Sequence, residues 1–226
     1  MKKDFLSILD VSREELANLI AHARKLKEER RVSIQTPVLA HKTLGMIFEK
    51  SSTRTRISFE TGMFELGGHA LFLNPKDMQL GRGEAIRDTA RVMSRFVSAI
   101  MIRANRHDEV IELATHADIP VINGLSDREH PCQILADIMT IEEWLFRTEG
   151  VKVAWIGDGN NVCNSLILST ILTGMEVIVA SPSEFAPRED VVAEALRMGA
   201  KVRIVTDPRE AADDADVVMT DTWISM

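Results

Sequence analysis

Short apolar runs alternate with amphipathic segments along most of this 226-residue chain, and this alternation restricts its fold more than any other feature. The runs have the length and composition of buried strands, and the segments between them repeat apolar residues at helical spacing. In the first part of the chain the predicted strands are residues 44–48, 69–73, 99–102 and 119–122. Strands that alternate with helices form a mostly parallel sheet flanked by helices. We therefore predict an α/β fold.

A second series of the same kind follows a break at Glu149 and Gly150. Its predicted strands are residues 151–156, 177–180, 202–205 and 217–220, with helices over 161–172 and 188–198. A long interdomain helix from about Pro131 to Phe146 joins the two series, and Pro131 suits the first helical position. We predict two domains, residues 1–147 and 148–226. Because the chain stops directly after a strand, we expect the second domain to be incomplete at its C-terminus.

Composition excludes several classes of partner. The net charge of -7 and pI of about 5.4 argue against a general nucleic-acid binder. No apolar run approaches the ~20 residues that span a bilayer, and the first residues resemble neither a signal nor a transit peptide. Cys132 and Cys163 lack metal-ligand spacing and are too few for a disulfide framework. We expect a cytoplasmic protein with no membrane, nucleic-acid or metal partner.

Residues 48–60 (FEKSSTRTRISFE) place hydroxyl and guanidinium groups between a predicted strand and a predicted helix. A helix start exposes unpaired N–H groups and the positive end of the helix dipole, so it binds anions, above all phosphate. Arg54 and Arg56 each carry a planar guanidinium group, which can bind two oxygens of a phosphate or carboxylate at once. The alternative is a simple helix cap with solvated arginines. Four hydrogen-bonding side chains in succession, residues 52–55, exceed what a cap requires, and we predict an anion site.

The sequence GDGNNV at residues 157–162 follows a predicted strand and invites comparison with dinucleotide-binding loops. Val162 stands where the third glycine belongs, and the next strand lacks the acidic residue that would hold a ribose. A nicotinamide-dependent dehydrogenase is therefore disfavoured, and no P-loop pattern is present. The glycines instead predict a tight strand-to-helix turn that presents Asn160 and Asn161 at the carboxyl edge of the sheet.

Three further residues lie where a ligand is expected in an open α/β sheet. Arg103 and Asp221 each follow a predicted strand at its carboxyl end, and His130 precedes Pro131 at a helix start. The alternative for Arg103 is an ordinary surface arginine, and the alternative for His130 is a structural histidine. Asp221 either pairs with the ammonium group of a ligand or caps a helix, and spacing alone does not decide between these.

Together these motifs resemble the carbamoyltransferase family, and most closely its ornithine carbamoyltransferase branch. The resemblance covers essentially the whole chain. Its anchors are FEKSSTRTRISFE (48–60), QLG (79–81), DTAR (88–91), MIR (101–103), HPCQ (130–133), GDGNN (157–161) and DTWISM (221–226). The S-T-R-T-R motif is specific for transcarbamylases in general. The D-x-x-x-S-M pattern is specific for the ornithine branch over the aspartate branch.

The resemblance implies a carbamoyl phosphate-binding domain followed by an ornithine-binding domain. The implied reaction transfers the carbamoyl group from carbamoyl phosphate to the δ-amine of L-ornithine, giving L-citrulline and phosphate, without metal, cofactor or covalent intermediate. It also implies arginine biosynthesis in the cytoplasm and a homotrimer or a multiple of trimers. Two alternatives stay open. One is a putrescine or other carbamoyltransferase, and the other is an inactive binding or assembly fragment, since the family's ornithine-contacting cysteine would lie beyond residue 226.

The resemblance also assigns roles to individual residues. The phosphate would be bound by Ser52, Thr53, Arg54 and Thr55, with Gln79 reaching the phosphate of a neighbouring subunit. The carbamoyl group would be held by Arg103 and His130 at its oxygen and by Gln133 at its amide. The oxyanion formed on amine attack would be stabilised by Arg103, His130 and Thr55. The amino-acid portion of ornithine would be bound by Asn161, Asp221, Ser225 and Met226.

Overall fold

The computed structural model describes residues 2–34 and 36–222. Its contacts divide the chain into two compact units. The first unit contains the N-terminal residues up to Leu6 and His22–Asp127, and the second contains Ser7–Ala21 and the chain from Arg128 onward. Helix α1 (Arg13–Arg31) therefore contributes residues to both units. The domain boundary predicted near residue 148 differs from this contact-based division and stays a prediction.

The first unit is built on a four-stranded parallel sheet with strand order β2-β1-β3-β4. Its strands are β1 (Thr43–Phe48), β2 (His69–Leu73), β3 (Ala99–Arg103) and β4 (Val121–Leu125). Its further helices are α2 (Thr53–Glu65), α3 (Ile86–Met93) and α4 (His107–His116). Nearly every residue of β1 and β3 is buried, as expected for parallel strands covered on both faces. The predicted α/β architecture is confirmed.

Strand β4 begins two residues later than predicted and ends three residues later. Pro120 has no N–H to donate and pushes the residue before it out of regular pairing, so the ladder begins at Val121. The Asn123-Gly124 pair, a residue combination typical of turns, lies inside the strand. The Asn123 backbone N–H donates to the Phe5 carbonyl at 2.8 Å. A pairing with the distant N-terminal segment therefore stabilises strand structure where local sequence indicates a turn.

The second unit has its own four-stranded parallel sheet, with order β7-β6-β5-β8. Its strands are β5 (Lys152–Ile156), β6 (Glu176–Ala180), β7 (Lys201–Val205) and β8 (Val217–Met219). Its further helices are α5 (Pro131–Leu145), α6 (Asn161–Thr173), α7 (Glu189–Arg197) and α8 (Pro208–Ala212). Helix α6 is buried over most of its length, and its sequence accordingly contains no charged residue. Helix α8 was not predicted because five residues are too few to display helical periodicity.

A buried carboxyl group fixes the segment that precedes α5. Glu129 is 1% exposed, and its Oε2 accepts hydrogen bonds from the Ile8 N–H and the Ser165 hydroxyl, both at 3.2 Å. The Ser165 hydroxyl in turn accepts the His130 N–H at 3.0 Å. Burial raises the pKa of Glu129 above its ordinary value, although these hydrogen bonds oppose the rise. The direction in which the chain enters α5 thus depends on a partly buried polar network.

We predict that Glu129 makes stability depend on pH. A carboxyl group whose pKa is raised by folding binds its proton more tightly in the folded state. Its contribution to stability is therefore greatest below the unfolded pKa near 4.5 and is lost as the pH rises through the folded pKa. Each unit by which folding raises the pKa corresponds to about 1.4 kcal/mol in the free energy of unfolding. In urea unfolding between about pH 4 and pH 8, the stability of the native chain relative to Glu129→Gln should fall as the pH increases.

The matched control is Glu184→Gln, which neutralises an exposed carboxyl group of the same unit. Its stability relative to the native chain should show no comparable trend with pH. Parallel pH profiles for the native chain and Glu129→Gln would contradict the assignment of a raised pKa to Glu129.

Candidate functional site

The carboxyl ends of β1 and β3 lie side by side, with Phe48 paired to Arg103. The chain passes from β1 to β2 on one side, whereas β3 and β4 lie on the other side, so the strand order reverses between β1 and β3. Open α/β sheets bind ligands beyond the strand ends at such a switch point. The Ser52–Thr55 segment follows β1, and Arg103 is the last residue of β3. The first unit thus brings both predicted anion-binding elements to one edge.

Ser52 caps α2 and leaves helix N–H groups available. Its Oγ accepts the Thr55 N–H at 3.2 Å, and its hydroxyl donates to Thr55 Oγ1 at 3.0 Å. The backbone N–H groups of Thr53 and Arg54 donate to no residue that the structure describes. Because these two groups lie at the positive end of the helix dipole, they are suited to binding an anion. The cap and the anion site are therefore compatible readings of the same motif.

Arg103 supplies a buried positive charge next to this helix start. Its side chain donates through Nη1 to Thr55 Oγ1 at 3.1 Å and to the Gly124 carbonyl at 3.4 Å. Arg103 is 6% exposed, and its buried Nε has no hydrogen-bond partner within the described part of the chain. Burial lowers the pKa of Arg103, but a guanidinium stays protonated at neutral pH. Without a carboxylate partner among those residues, this charge is suited to an anionic ligand.

The two arginines of the motif have different surroundings. Arg56 Nε pairs with Glu60 at 2.9 Å, and its guanidinium carbon lies 3.8 Å from the centre of the Phe72 ring. Arg54 is exposed and forms no ion pair with the residues described here. The hypothesis that both arginines bind an anion is therefore restricted to Arg54. Arg56 is occupied in holding α2 against β2, and Arg54 is available for a ligand.

Two residues that sequence reasoning did not single out shape the same edge. Glu49 Oε2 accepts the backbone N–H of Asn105 at 2.8 Å, which connects the loops that follow β1 and β3. At Gly124, a Cβ atom would lie 2.4 Å from Met101 Sδ and 3.2 Å from Arg103 Cγ. The absence of a side chain therefore leaves room for the Arg103 side chain. The Asn123-Gly124 pair is recognisable in the sequence as typical of turns, but its position inside a strand was not predictable from local sequence.

His130 and Gln133 lie at the start of α5 in the second unit, whereas the α2 start and Arg103 lie in the first. His130 is half-buried, and its N–H is held by Ser165. The Gln133 N–H donates to the His130 carbonyl at 3.1 Å. The Gln133 side chain is exposed, and its Nε2 donates to Asp137 Oδ1 at 3.0 Å. These hydrogen bonds fix the backbone of both residues at the helix start, and Asp137 holds the Gln133 amide.

The second sheet has its own switch point between β5 and β8, and predicted ligand residues follow both strands. The predicted strand-to-helix turn after β5 is confirmed. Asn160 caps α6, with Oδ1 accepting the N–H groups of Val162 at 2.9 Å and Cys163 at 3.1 Å. Its Nδ2 donates to Asp221 Oδ2 at 2.9 Å. The turn needs Gly159, since a Cβ there would lie 2.1 Å from the Pro187 nitrogen.

The remaining predicted site residues that the structure describes lie at or next to the ends of secondary-structure elements. Asn161 is half-buried as the first residue of α6, and Asp221 is exposed after β8. Gln79 is exposed and precedes the 3-10 turn Leu80–Arg82 without capping it. Ser225 and Met226 lie outside the described residues.

Cys132 and Cys163 are both thiols that take part in no disulfide bond within the described chain. Burial raises the pKa of Cys132 to about 12 and that of Cys163 well above its ordinary value, so both thiols are protonated at neutral pH. Across residues 2–34 and 36–222, His, Cys, Asp and Glu form no group that would hold a metal ion. Over the same ranges, no helix has the length and apolar character needed to cross a membrane.

Comparison with known proteins gives matches over both units. The family model described as "Aspartate/ornithine carbamoyltransferase, carbamoyl-P binding domain" matches residues 3–143. The model described as "Aspartate/ornithine carbamoyltransferase, Asp/Orn binding domain" matches residues 149–226. The ornithine carbamoyltransferase of Methanospirillum hungatei is 95% identical over 226 residues, which are the whole of this chain and 75% of that protein.

Solved structures agree with these sequence matches. The ornithine carbamoyltransferase from Pyrococcus furiosus superposes with a TM-score of 0.94 at 48% identity, covering 99% of this chain and 72% of that one. The anabolic ornithine carbamoyltransferase from Campylobacter jejuni gives a TM-score of 0.92 at 45% identity, covering 100% of this chain and 74% of that one. The chain thus spans about three quarters of the length of these relatives. It belongs to the aspartate/ornithine carbamoyltransferase family.

Proposed function

We propose that this chain transfers the carbamoyl group from carbamoyl phosphate to the δ-amine of L-ornithine, giving L-citrulline and phosphate. One observation supports this most strongly. At the start of α2, Thr55 Oγ1 accepts hydrogen bonds from both the buried Arg103 guanidinium and the hydroxyl of the capping residue Ser52. Arg103 has no carboxylate partner in the described chain. A phosphorylated substrate fits such a site. Membership of the family supplies the reaction class.

In this proposal the phosphate is bound by the start of α2. Its oxygens accept hydrogen bonds from the free N–H groups of Thr53 and Arg54, from the Ser52 and Thr55 hydroxyls, and from the Arg54 guanidinium. The support is the local geometry, in which cap, dipole and unpaired donors coincide. Gln79 of a neighbouring subunit completes the phosphate contacts. Its exposed position is compatible with that role.

Arg103, His130 and Thr55 would stabilise charge at the carbamoyl oxygen. The lone pair of the neutral δ-amine attacks the carbamoyl carbon, a tetrahedral oxyanion forms, the bond to the phosphate oxygen breaks and the amine loses a proton. Donors that are already positioned for the oxyanion need no reorganisation during reaction. Arg103 meets this requirement because Thr55 and Gly124 hold its guanidinium. Gln133 would hold the carbamoyl amide, and no step needs a metal or cofactor.

Ornithine would be bound by Asn161, Asp221, Ser225 and Met226. The described part of this set supports an amine ligand through Asp221, a carboxylate held at the carboxyl edge of the second sheet by Asn160. Opposite charges favour pairing of such a carboxylate with an ammonium group. Division into a carbamoyl phosphate-binding domain (1–147) and an ornithine-binding domain (148–226) belongs to the same proposal. So do a homotrimer or multiple of trimers, a cytoplasmic location and a place in arginine biosynthesis.

We expect Arg54→Ala to weaken binding of carbamoyl phosphate. A charge-assisted hydrogen bond contributes roughly 1.5–3 kcal/mol. Because Arg54 is exposed, we expect the lower end of that range, about a tenfold rise in Kd measured by calorimetry. The control is Arg95→Ala, which removes an exposed arginine outside the motif. Equal affinities for Arg54→Ala and the native chain would rule Arg54 out of the site.

The reaction itself is tested by an assay for carbamoylated product with carbamoyl phosphate and each of three acceptors: L-ornithine, putrescine and L-aspartate. We expect product with ornithine alone. An Arg103→Gln chain provides the background, since loss of one oxyanion donor lowers the rate about 10²- to 10³-fold. Product with putrescine would indicate a different amine specificity. Absence of product with every amine would indicate a binding or assembly fragment.

A further inference from the structure

Asp137 lies one helical turn after Gln133 on α5 and accepts a hydrogen bond from its amide. The distance from Gln133 Nε2 to Asp137 Oδ1 is 3.0 Å. Gln133 is exposed, and its Oε1 accepts no hydrogen bond from residues 2–34 and 36–222. The amide is therefore anchored at its nitrogen and available at its oxygen.

The identity of the anchoring group determines which end of the amide is presented. A glutamine side chain has a donor end and an acceptor end, which exchange by rotation about the last bond. A carboxylate only accepts hydrogen bonds, so the NH2 end must face Asp137. The Gln133 oxygen then points away from Asp137 as an acceptor. An asparagine at residue 137 would not impose this choice, because it accepts and donates equally well.

The carbamoyl group of carbamoyl phosphate ends in an NH2 donor, which needs an acceptor. We propose that Asp137 is a positioning residue that orients the Gln133 amide so that its oxygen accepts a hydrogen bond from the carbamoyl NH2. This inference rests on the proposed function, in which Gln133 holds the carbamoyl amide. Asp137 itself touches no reacting atom. It selects an amide-bearing phosphate compound over a carboxylate-bearing one.

A purely structural role explains the pair less well. A glutamine–aspartate hydrogen bond between residues four apart on a helix stabilises that helix only slightly. Partial burial raises the pKa of Asp137, the bond from Gln133 opposes the rise, and the charge of Asp221 adds to it. Keeping a carboxylate beside another carboxylate is thus unfavourable for folding. A role in orienting Gln133 accounts for its presence.

The test compares two stable probes by calorimetry. Phosphonoacetamide ends in an amide, and phosphonoacetate ends in a carboxylate that only accepts hydrogen bonds. The native chain should favour phosphonoacetamide. In Asp137→Asn the Gln133 amide is free to reverse, and its NH2 then faces the phosphonoacetate carboxylate. We expect the preference for phosphonoacetamide to fall about three- to tenfold, the range of one ordinary hydrogen bond.

Two further variants separate orientation from general damage. Glu143→Gln, a carboxyl-to-amide change on the same helix, should leave the preference unchanged. Asp137→Asn made in a Gln133→Met chain should also have no effect, because the side chain to be oriented is absent. An unchanged preference in Asp137→Asn would overturn this inference and leave the proposed function standing. Failure of the native chain to bind either probe would overturn both.

A measurement on the native chain alone provides the second test and needs no variant to fold. Protonated Asp137 becomes a donor and releases the Gln133 amide from its orientation. The preference for phosphonoacetamide should therefore fall as the pH is lowered through the raised pKa of Asp137, with Asp221 as the neighbouring charge. Asp137→Asn corrects for titration of the probes and of Asp221. The same pH dependence in both chains would overturn the proposal.

Discussion

The first unit depends on one arrangement, a buried guanidinium held by neutral oxygen atoms. Arg103 is 6% exposed and donates to Thr55 Oγ1 and the Gly124 carbonyl, with no carboxylate to neutralise it in the described chain. A positive charge in such a position is unfavourable unless an anion balances it. The adjoining helix start adds unpaired N–H groups and its dipole. The stability cost and the function of this residue therefore have the same origin.

Parallel-sheet topology explains why the candidate ligand-binding residues lie at the carboxyl edges of the two sheets. In each unit the strand order reverses once, between β1 and β3 in the first and between β5 and β8 in the second. Loops that leave neighbouring strands in opposite directions open a crevice at the carboxyl edge. The first unit places hydrogen-bond donors and cations there, and the second places Asn160 and Asp221. One unit is thus suited to an anion and the other to an amine, which are the two substrate classes of the proposed reaction.

The features that were predictable from sequence are those encoded locally. Strand β1 and the turn before Asn160 each depend on residues within a few positions, and both were predicted. The Ser52 cap is equally local, and it was considered as the alternative to an anion site. Features that depend on distant partners were not. Strand β4 pairs with Phe5, the space for Arg103 depends on the strand position of Gly124, and α8 is too short to show a period. The different surroundings of Arg54 and Arg56 were not predictable either, because they depend on how α2 packs against β2.

The central claim, that an anion binds where Arg103 meets the start of α2, is tested most directly by an NMR titration with inorganic phosphate. We expect the largest saturable shifts at the backbone amides of Thr53 and Arg54 and at the Arg103 Nε–H, which has no partner in the described chain. A hydrogen bond to phosphate should move these signals downfield together, with a single Kd. Saturable shifts centred elsewhere, or no shift at these three groups, would contradict the account.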